Sequence, residues 1–89
     1  MIGEKDKKTI LEISKKYNLS RVFLFGSSLS DQVNAKDIDI AIDGIADEFF
    51  FTFYGELMFA LSKPVDIVDL SKKTKFTDMV IKTGVRLDS

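Results

Sequence analysis

Asp37 and Asp39 stand two residues apart in Asp37-Ile38-Asp39-Ile40-Ala41-Ile42, a run that alternates strictly between apolar β-branched residues and polar or small ones. Such a segment is a half-buried strand, with the isoleucines on one face and Asp37, Asp39 and Ala41 on the other. The two aspartate Cα atoms are then roughly 6.6 Å apart, close enough for their side chains to converge on one or two cations. At a separation of about 7 Å their mutual repulsion is ~0.6 kcal/mol in bulk water and ~2.4 kcal/mol at an effective dielectric of about 20, so a partly enclosed pair favours a bound Mg²⁺. The competing reading is the solvated outer face of an amphipathic strand. A third acid sits in Val65-Asp66-Ile67-Val68-Asp69-Leu70, near the start of an otherwise apolar strand that follows Pro64. If this strand lies beside the first, Asp66 joins the pair, whereas Asp69 has the opposite parity and points away. Asp43, at the end of the first acidic strand, is a lesser candidate, and a bond to a lysine such as Lys63 is the plain structural reading of Asp66.

Arg21-Val22-Phe23-Leu24-Phe25 is a short β-branched and aromatic run halted by Gly26. A strand that ends in Gly26-Ser27 and opens a helical turn aims backbone N–H groups and a hydroxyl at any phosphate placed there, although an ordinary turn has the same sequence. The glycine-lysine pattern of a P-loop is absent. An EF-hand fails as well, because Ala41 and Ile42 occupy positions that need a ligand and a glycine. With no cysteine and no histidine in the chain, disulfides, thiolate zinc sites, His-ligated metals and Ser/His/Asp triads are excluded. Any chemistry rests on carboxylates, hydroxyls, lysines and backbone groups.

The elements that position these residues follow from the same pattern reading. Ile10, Leu11, Ile13 and Tyr17 recur at helical spacing between Glu4 and Tyr17, and Asn18 is a stop residue. Ser27 to Asp31 begins a short helix, Asp47 caps a helix from about Glu48 to Leu61, and Lys75 to Thr83 forms a last helix stopped by Gly84. The result is an α/β (α+β) fold, a small sheet of about three strands covered by helices, with mixed strand direction left open by the long Ser27–Lys36 link. The 89 residues make one domain over 1–89, and 45% hydrophobic residues place it well away from disordered chains. A net charge of -1 gives no positive field to hold a polyanion, which argues against non-specific nucleic-acid binding. The charged N-terminus and the lack of any apolar stretch near the roughly 18 residues of a membrane span point to a soluble cytoplasmic protein.

Taken together, Leu24-Phe25-Gly26-Ser27, Asp37-Ile38-Asp39-Ile40-Ala41-Ile42, Pro64-Val65-Asp66-Ile67-Val68-Asp69-Leu70 and the tail Gly84-Val85-Arg86-Leu87 resemble the minimal nucleotidyltransferases of the DNA polymerase beta-like superfamily. The resemblance implies the nucleotidyltransferase fold, with Gly26 and Ser27 holding the β- and γ-phosphates of ATP or another nucleoside triphosphate and Ser28 completing the nucleotide-binding turn. It implies that Asp37, Asp39 and Asp66 bind two Mg²⁺ ions, or Mn²⁺, and that Asp66 lies beside the acceptor hydroxyl as a general base. It further implies transfer of AMP to a HEPN-type partner protein, as an antitoxin. The sequence departs from that family at Ser28, where an arginine is usual, and in a glycine-free segment from Ser28 to Lys36 that is one residue short. These departures raise an alternative, a non-catalytic interaction module that neutralises a partner by binding alone. Independently of family, a regular helix from Glu48 to Leu61 puts Phe50, Phe53, Tyr54, Leu57 and Leu61 on one face and leaves Phe51, Met58 and Phe59 outside, a side suited to a protein partner or a second copy of the chain.

Overall fold

The computed structural model describes residues 2–26 and 36–88. Among them, α1 (Glu4–Lys16) carries Glu4 and Asp6 in its first turn and Lys15 and Lys16 in its last, the charge order that the helix dipole favours. Asn18 follows with φ of 59°, the left-handed position that stops the helix. The chain then enters β1 (Arg21–Leu24) and returns as β2 (Ile38–Asp43), antiparallel, with Arg21 opposite Asp43 and Leu24 opposite Ile40. The long link therefore serves a hairpin-like return. The short helix expected from Ser27 to Asp31 lies outside the described residues.

A 3₁₀ turn (Asp47–Phe49) leads into α2 (Phe50–Ala60). The cap expected at Asp47 does not form: Asp47 is the first residue of the 3₁₀ turn, whose N-cap is Ala46, and the N-cap of α2 is Phe49. The tighter turn starts the helical path early and moves the α-helical start to Phe50. β3 (Val65–Asp69) pairs parallel with β2, Asp39 standing opposite Asp66. α3 (Lys75–Thr83) begins with a capping box in which Thr74 and Thr77 bond reciprocally, and ends at Gly84. A Cβ at Gly84 would lie 2.7 Å from the Val80 carbonyl oxygen and 3.0 Å from that of Leu24, so only glycine lets the chain turn back here as β4 (Val85–Arg86). The sheet thus has a fourth strand, in the order β3-β2-β1-β4, antiparallel at β1–β2 and β1–β4 and parallel at β2–β3.

The two faces of the sheet have different covers. Ile38, Ile40 and Ile42 pack with Val22, Leu24, Ile10 of α1 and Phe53 and Leu57 of α2 in the main core. Phe53 and Leu57 are fully buried, each contributing about 1.5–3 kcal/mol by loss of apolar surface to water. On the opposite face Phe23, Ala41, Leu70 and Val80 form a smaller cluster under α3. Ala41 therefore lies on the acidic face of β2 yet is wholly buried, because α3 covers that face at the Ala41 level. The outer side of α2 has no such cover: Phe51 is 83% exposed, Met58 61% and Phe59 96%. No described helix is long and apolar enough to cross a membrane.

Polar contacts tie the helical layer together. The Tyr17 hydroxyl and the Lys16 ammonium both donate to Glu56, joining the end of α1 to α2, and they hold the Glu56 carboxyl below its ordinary range, the tyrosine bond being the larger cause. Near the other end of α1, buried Asp6 accepts hydrogen bonds from the backbone N–H and hydroxyl of Ser62, which fixes the α2–β3 connection. Asp6→Ala should cost about 1–2 kcal/mol by leaving these donors to partial solvation, read as a lower urea midpoint. An unchanged midpoint would show that the link holds nothing in place.

Candidate functional site

The parallel register of β2 and β3 sets Asp39 and Asp66 side by side on neighbouring strands. On the other flank of β2, the Phe25 N–H donates to the Asp39 carbonyl at 3.0 Å, which extends the β1–β2 pairing by one residue and puts Phe25 opposite Asp39. Alternation then gives a row across one sheet face: Asp66, Asp39, Phe25. It is the face that α3 covers further along, where Phe23, Ala41 and Val68 are packed. Asp37, exposed just before β2, shares the parity of Asp39.

Gly26 closes the row from above. Its φ is 68°, and a Cβ there would lie 2.6 Å from Asp39 Oδ2 and 3.3 Å from Asp39 Cγ. Both the left-handed backbone and the close approach to a carboxylate exclude any other residue without rearrangement. The sequence grouped this turn with the acids only as ordered motifs along the chain; in the fold Gly26 and Asp39 are within contact distance. Ser27 and Ser28, the other residues expected in the nucleotide-binding turn, lie outside the described residues.

Two other acids are engaged elsewhere. Asp69 has the opposite parity to Asp66, and its Oδ1 accepts from the Ser71 N–H at 2.9 Å in the turn after β3. Asp43 faces Arg21 across the hairpin and receives both Nε and an Nη of its guanidinium, at 3.2 and 2.8 Å. Asp43, a lesser candidate on sequence grounds, is thus an ion-pair residue, roughly 13 Å along the strand from Asp39.

Asp37, Asp39 and Asp66 offer only hard oxygen donors from two adjacent strands, a donor set that fits Mg²⁺ or Mn²⁺. Among the described residues no group of three acidic side chains is gathered tightly enough to enclose an ion. The cluster anticipated from the sequence is therefore a row with its register fixed, and like charges favour a spread arrangement unless a cation lies between them. A shallow hollow lined by Lys5, Lys8, Leu11 and Glu12 runs along the solvent side of α1 and includes none of these acids.

One residue near the row has no sequence signal of its own. The Tyr54 hydroxyl donates to the Val65 carbonyl at 2.9 Å, bracing the edge strand immediately before Asp66. Burial, and after it the Asp66 charge, raises the Tyr54 pKa above the ordinary tyrosine value, with a backbone hydrogen bond at Ile67 acting in the opposite direction. The hydroxyl accordingly remains a donor through the neutral range. In sequence Tyr54 reads only as one apolar position of an amphipathic helix.

Comparison with known proteins agrees with this architecture. Residues 8–89 match the family described as Polymerase beta, Nucleotidyltransferase. No curated protein sequence matches the chain significantly. Among solved structures, a tri-AMPylated Shewanella oneidensis HEPN toxin in complex with MNT antitoxin contains a similar chain, with 25% identity and a TM-score of 0.71 over 92% of this chain and 68% of that one. A toxin-antitoxin complex with AMP-PNP gives 26% identity and a TM-score of 0.72, covering 91% and 71% of the two chains. The toxin-antitoxin MntA-HepT, at 23% identity, has the same fold, with a TM-score of 0.72 and coverage of 96% and 71%. The match across nearly the whole chain, on a fold that brings the glycine turn against one acid and a second acid beside it, shows that the protein belongs to the polymerase beta nucleotidyltransferase family.

Proposed function

We propose that this chain transfers AMP from ATP to a hydroxyl on a HEPN-type partner protein, in a Mg²⁺-dependent reaction, and thereby acts as an antitoxin. The observation that carries this reading is the bare Gly26 backbone set against the Asp39 carboxylate with Asp66 in register beside it. The reaction needs a phosphate turn and an acidic cation site within one triphosphate length, and the closeness of Gly26 to Asp39 supports this reading. The choice of AMP and of a HEPN acceptor is supported by the similar complexes, one with a tri-AMPylated HEPN toxin beside an MNT antitoxin and one with AMP-PNP. ATP is abundant in the cytoplasm, which agrees with a cytoplasmic site of action.

Asp37, Asp39 and Asp66 would hold Mg²⁺, with Mn²⁺ able to replace it, and the bound cation supplies charge neutralisation for the phosphates and polarisation of the α-phosphoryl group. Gly26, followed by Ser27 and Ser28, accepts the β- and γ-phosphates because it offers backbone without a side chain in the way. Asp66, exposed at the start of β3, takes the proton of the acceptor hydroxyl. The acceptor oxygen bonds to the α-phosphorus in line as the bond to the β-phosphate oxygen breaks, and pyrophosphate leaves. Tyr54 holds the Val65 backbone and so keeps the Asp66 position steady.

The exposed Phe51, Met58 and Phe59 side of α2 is assigned to the partner. Aromatic and Met side chains are enriched in interface cores, and 83–96% exposure of two phenylalanines is costly for a chain that works alone. A second reading, neutralisation by binding without catalysis, is favoured by Ser28 standing where the family has a phosphate-binding arginine. Neutralisation that survives Asp37→Asn combined with Asp39→Asn would select it.

Three outcomes follow from the reaction reading. ATP radiolabelled at the α-phosphate, Mg²⁺ and the purified HEPN-type partner should give a labelled partner, and Asp39→Asn should remove the label while the two proteins still co-elute; label persisting in the variant refutes the site. Gly26→Ala should cost about 1–3 kcal/mol in stability through its left-handed backbone and lower labelling at least tenfold by displacing Asp39. Wild-type labelling by that variant would mean that the close approach has no role. Phe51→Glu with Phe59→Glu should leave the thermal melt unchanged but release the partner in analytical sedimentation; an intact complex assigns this side elsewhere, and a loss of self-association alone assigns it to a second copy.

A further inference from the structure

Lys7, Leu11, Ser14 and Lys15 recur at helical spacing along α1 and so share one of its sides. Between that side and the Leu87-Asp88 segment after β4 lies a hollow of about 530 Å³, with Leu11, Leu19, Val22 and Leu87 as its apolar lining. Its charged groups are unevenly engaged. Asp88 accepts from the Arg86 guanidinium at 2.7 and 3.0 Å and from the Val22 N–H at 3.3 Å, so its charge is compensated. Lys7 and Lys15 form no ion pair among the described residues. Beside them on α1, Lys5 and Lys8 add positive charge against Glu4 and Glu12, in a chain whose net charge is -1. Ser14, also in the wall of the hollow, is 4% exposed, and its Oγ is the one buried side-chain polar atom among the described residues that has no hydrogen-bond partner. Serines inside helices commonly bond the carbonyl four residues back, and a buried hydroxyl without any bond costs stability.

We infer that this hollow is a docking site for an acidic segment of a partner protein, which inserts one aliphatic side chain between two carboxylates. Leu11 stands midway between Lys7 and Lys15, which are roughly 12 Å apart along the helix axis. An extended chain covers about that distance in four residues, and residues two apart share a face. A leucine with an acid two residues away on each side therefore matches the two ammoniums and the apolar lining in one register. The shape selects among anionic partners. A recess receives a side chain, whereas nucleic acid presents no aliphatic side chain to fill it and a membrane surface calls for apolar groups that protrude. Rotation about the Ser14 Cα–Cβ bond turns the hydroxyl toward the hollow, where an oxygen of the docked segment accepts from it. This surface is separate from the exposed side of α2 and from the row of acids, and the inference holds whether or not the chain transfers nucleotides.

Amide NMR of the full chain, titrated with a blocked peptide of sequence glutamate-serine-leucine-serine-glutamate, tests this. Saturable shifts centred on Leu11, Ser14, Leu19 and Leu87 are expected. Alanine in place of the peptide leucine should weaken binding about tenfold through lost apolar burial. Lysine in place of both peptide glutamates should abolish binding. Lys7→Glu with Lys15→Glu in the chain should do the same with an unchanged thermal melt, because neither side chain is buried. Ser14→Ala should raise the urea midpoint of the free chain, by removing an unpaired hydroxyl, and weaken the peptide. No saturable shift at millimolar peptide overturns the inference, as do shifts centred away from this hollow. Equal binding of the alanine peptide overturns it too, since only charge attraction would then remain. A urea midpoint that does not rise in Ser14→Ala would show that the hydroxyl is already satisfied and would remove it from the recognition.

Discussion

The contact between the Gly26 backbone and the Asp39 carboxylate exists only while β1, β2 and β3 keep one register. A slip of a single residue would turn Asp37, Asp39 and Asp66 into the core and the isoleucines of β2 out into water. Ile38, Ile40 and Ile42 prevent it, since all three are buried between the sheet and the α1–α2 layer with Phe53 and Leu57. The hydrophobic core is thus what aligns the acids, and the repulsion of neighbouring carboxylates is small against the apolar burial that imposes it. Glycine at position 26 completes the arrangement by removing the one side chain that would collide with it.

The two faces of the sheet divide the tasks. One is filled by α1 and α2 and provides stability; the other is closed by α3 at the level of Ala41, while Asp39 is half-buried and Asp66 exposed further along it. The edge position of β3 leaves Asp66 exposed, while the Tyr54 hydroxyl occupies the Val65 carbonyl and stiffens that edge. The apolar side of α2 lies on the helical layer rather than among the acids, so the proposed partner recognition and the proposed phosphoryl chemistry occupy separate surfaces. In the proposed reaction, an acceptor protein held at α2 sends a segment to the row beside Asp66.

Much of this was legible in the residues because their signals are local. Period-two alternation locates β2 and gives the shared parity of Asp37 and Asp39; the reversed parity of Asp69 separates it from Asp66. α3 runs from Lys75 to Thr83 as its pattern indicates, and the split of α2 into buried and exposed sides follows from helical spacing. What was not legible depends on pairing across distance. β4 has only two residues, both exposed, so no periodicity can announce it; it forms because Gly84 lets the chain turn against Leu24. The 3₁₀ start of α2, the burial of Ala41 by α3, the Arg21 partner of Asp43 and the hydroxyl contact of Tyr54 are tertiary facts of the same kind. The roles proposed for the acids come from the family resemblance, and the sheet register adds that Asp39 and Asp66 stand side by side.

The proposed reaction requires one cation–nucleotide site on the row formed by Asp66, Asp39 and the Gly26 turn. Paramagnetic broadening of backbone amide signals by substoichiometric Mn²⁺ in the presence of ATP tests it most directly, because broadening falls steeply with distance from the ion. A site on this row should give early loss of the Gly26, Ile38, Asp39 and Asp66 amides while those of Lys5 to Lys15 in α1 persist. Broadening spread evenly over the surface acids, or centred away from this row, would contradict it.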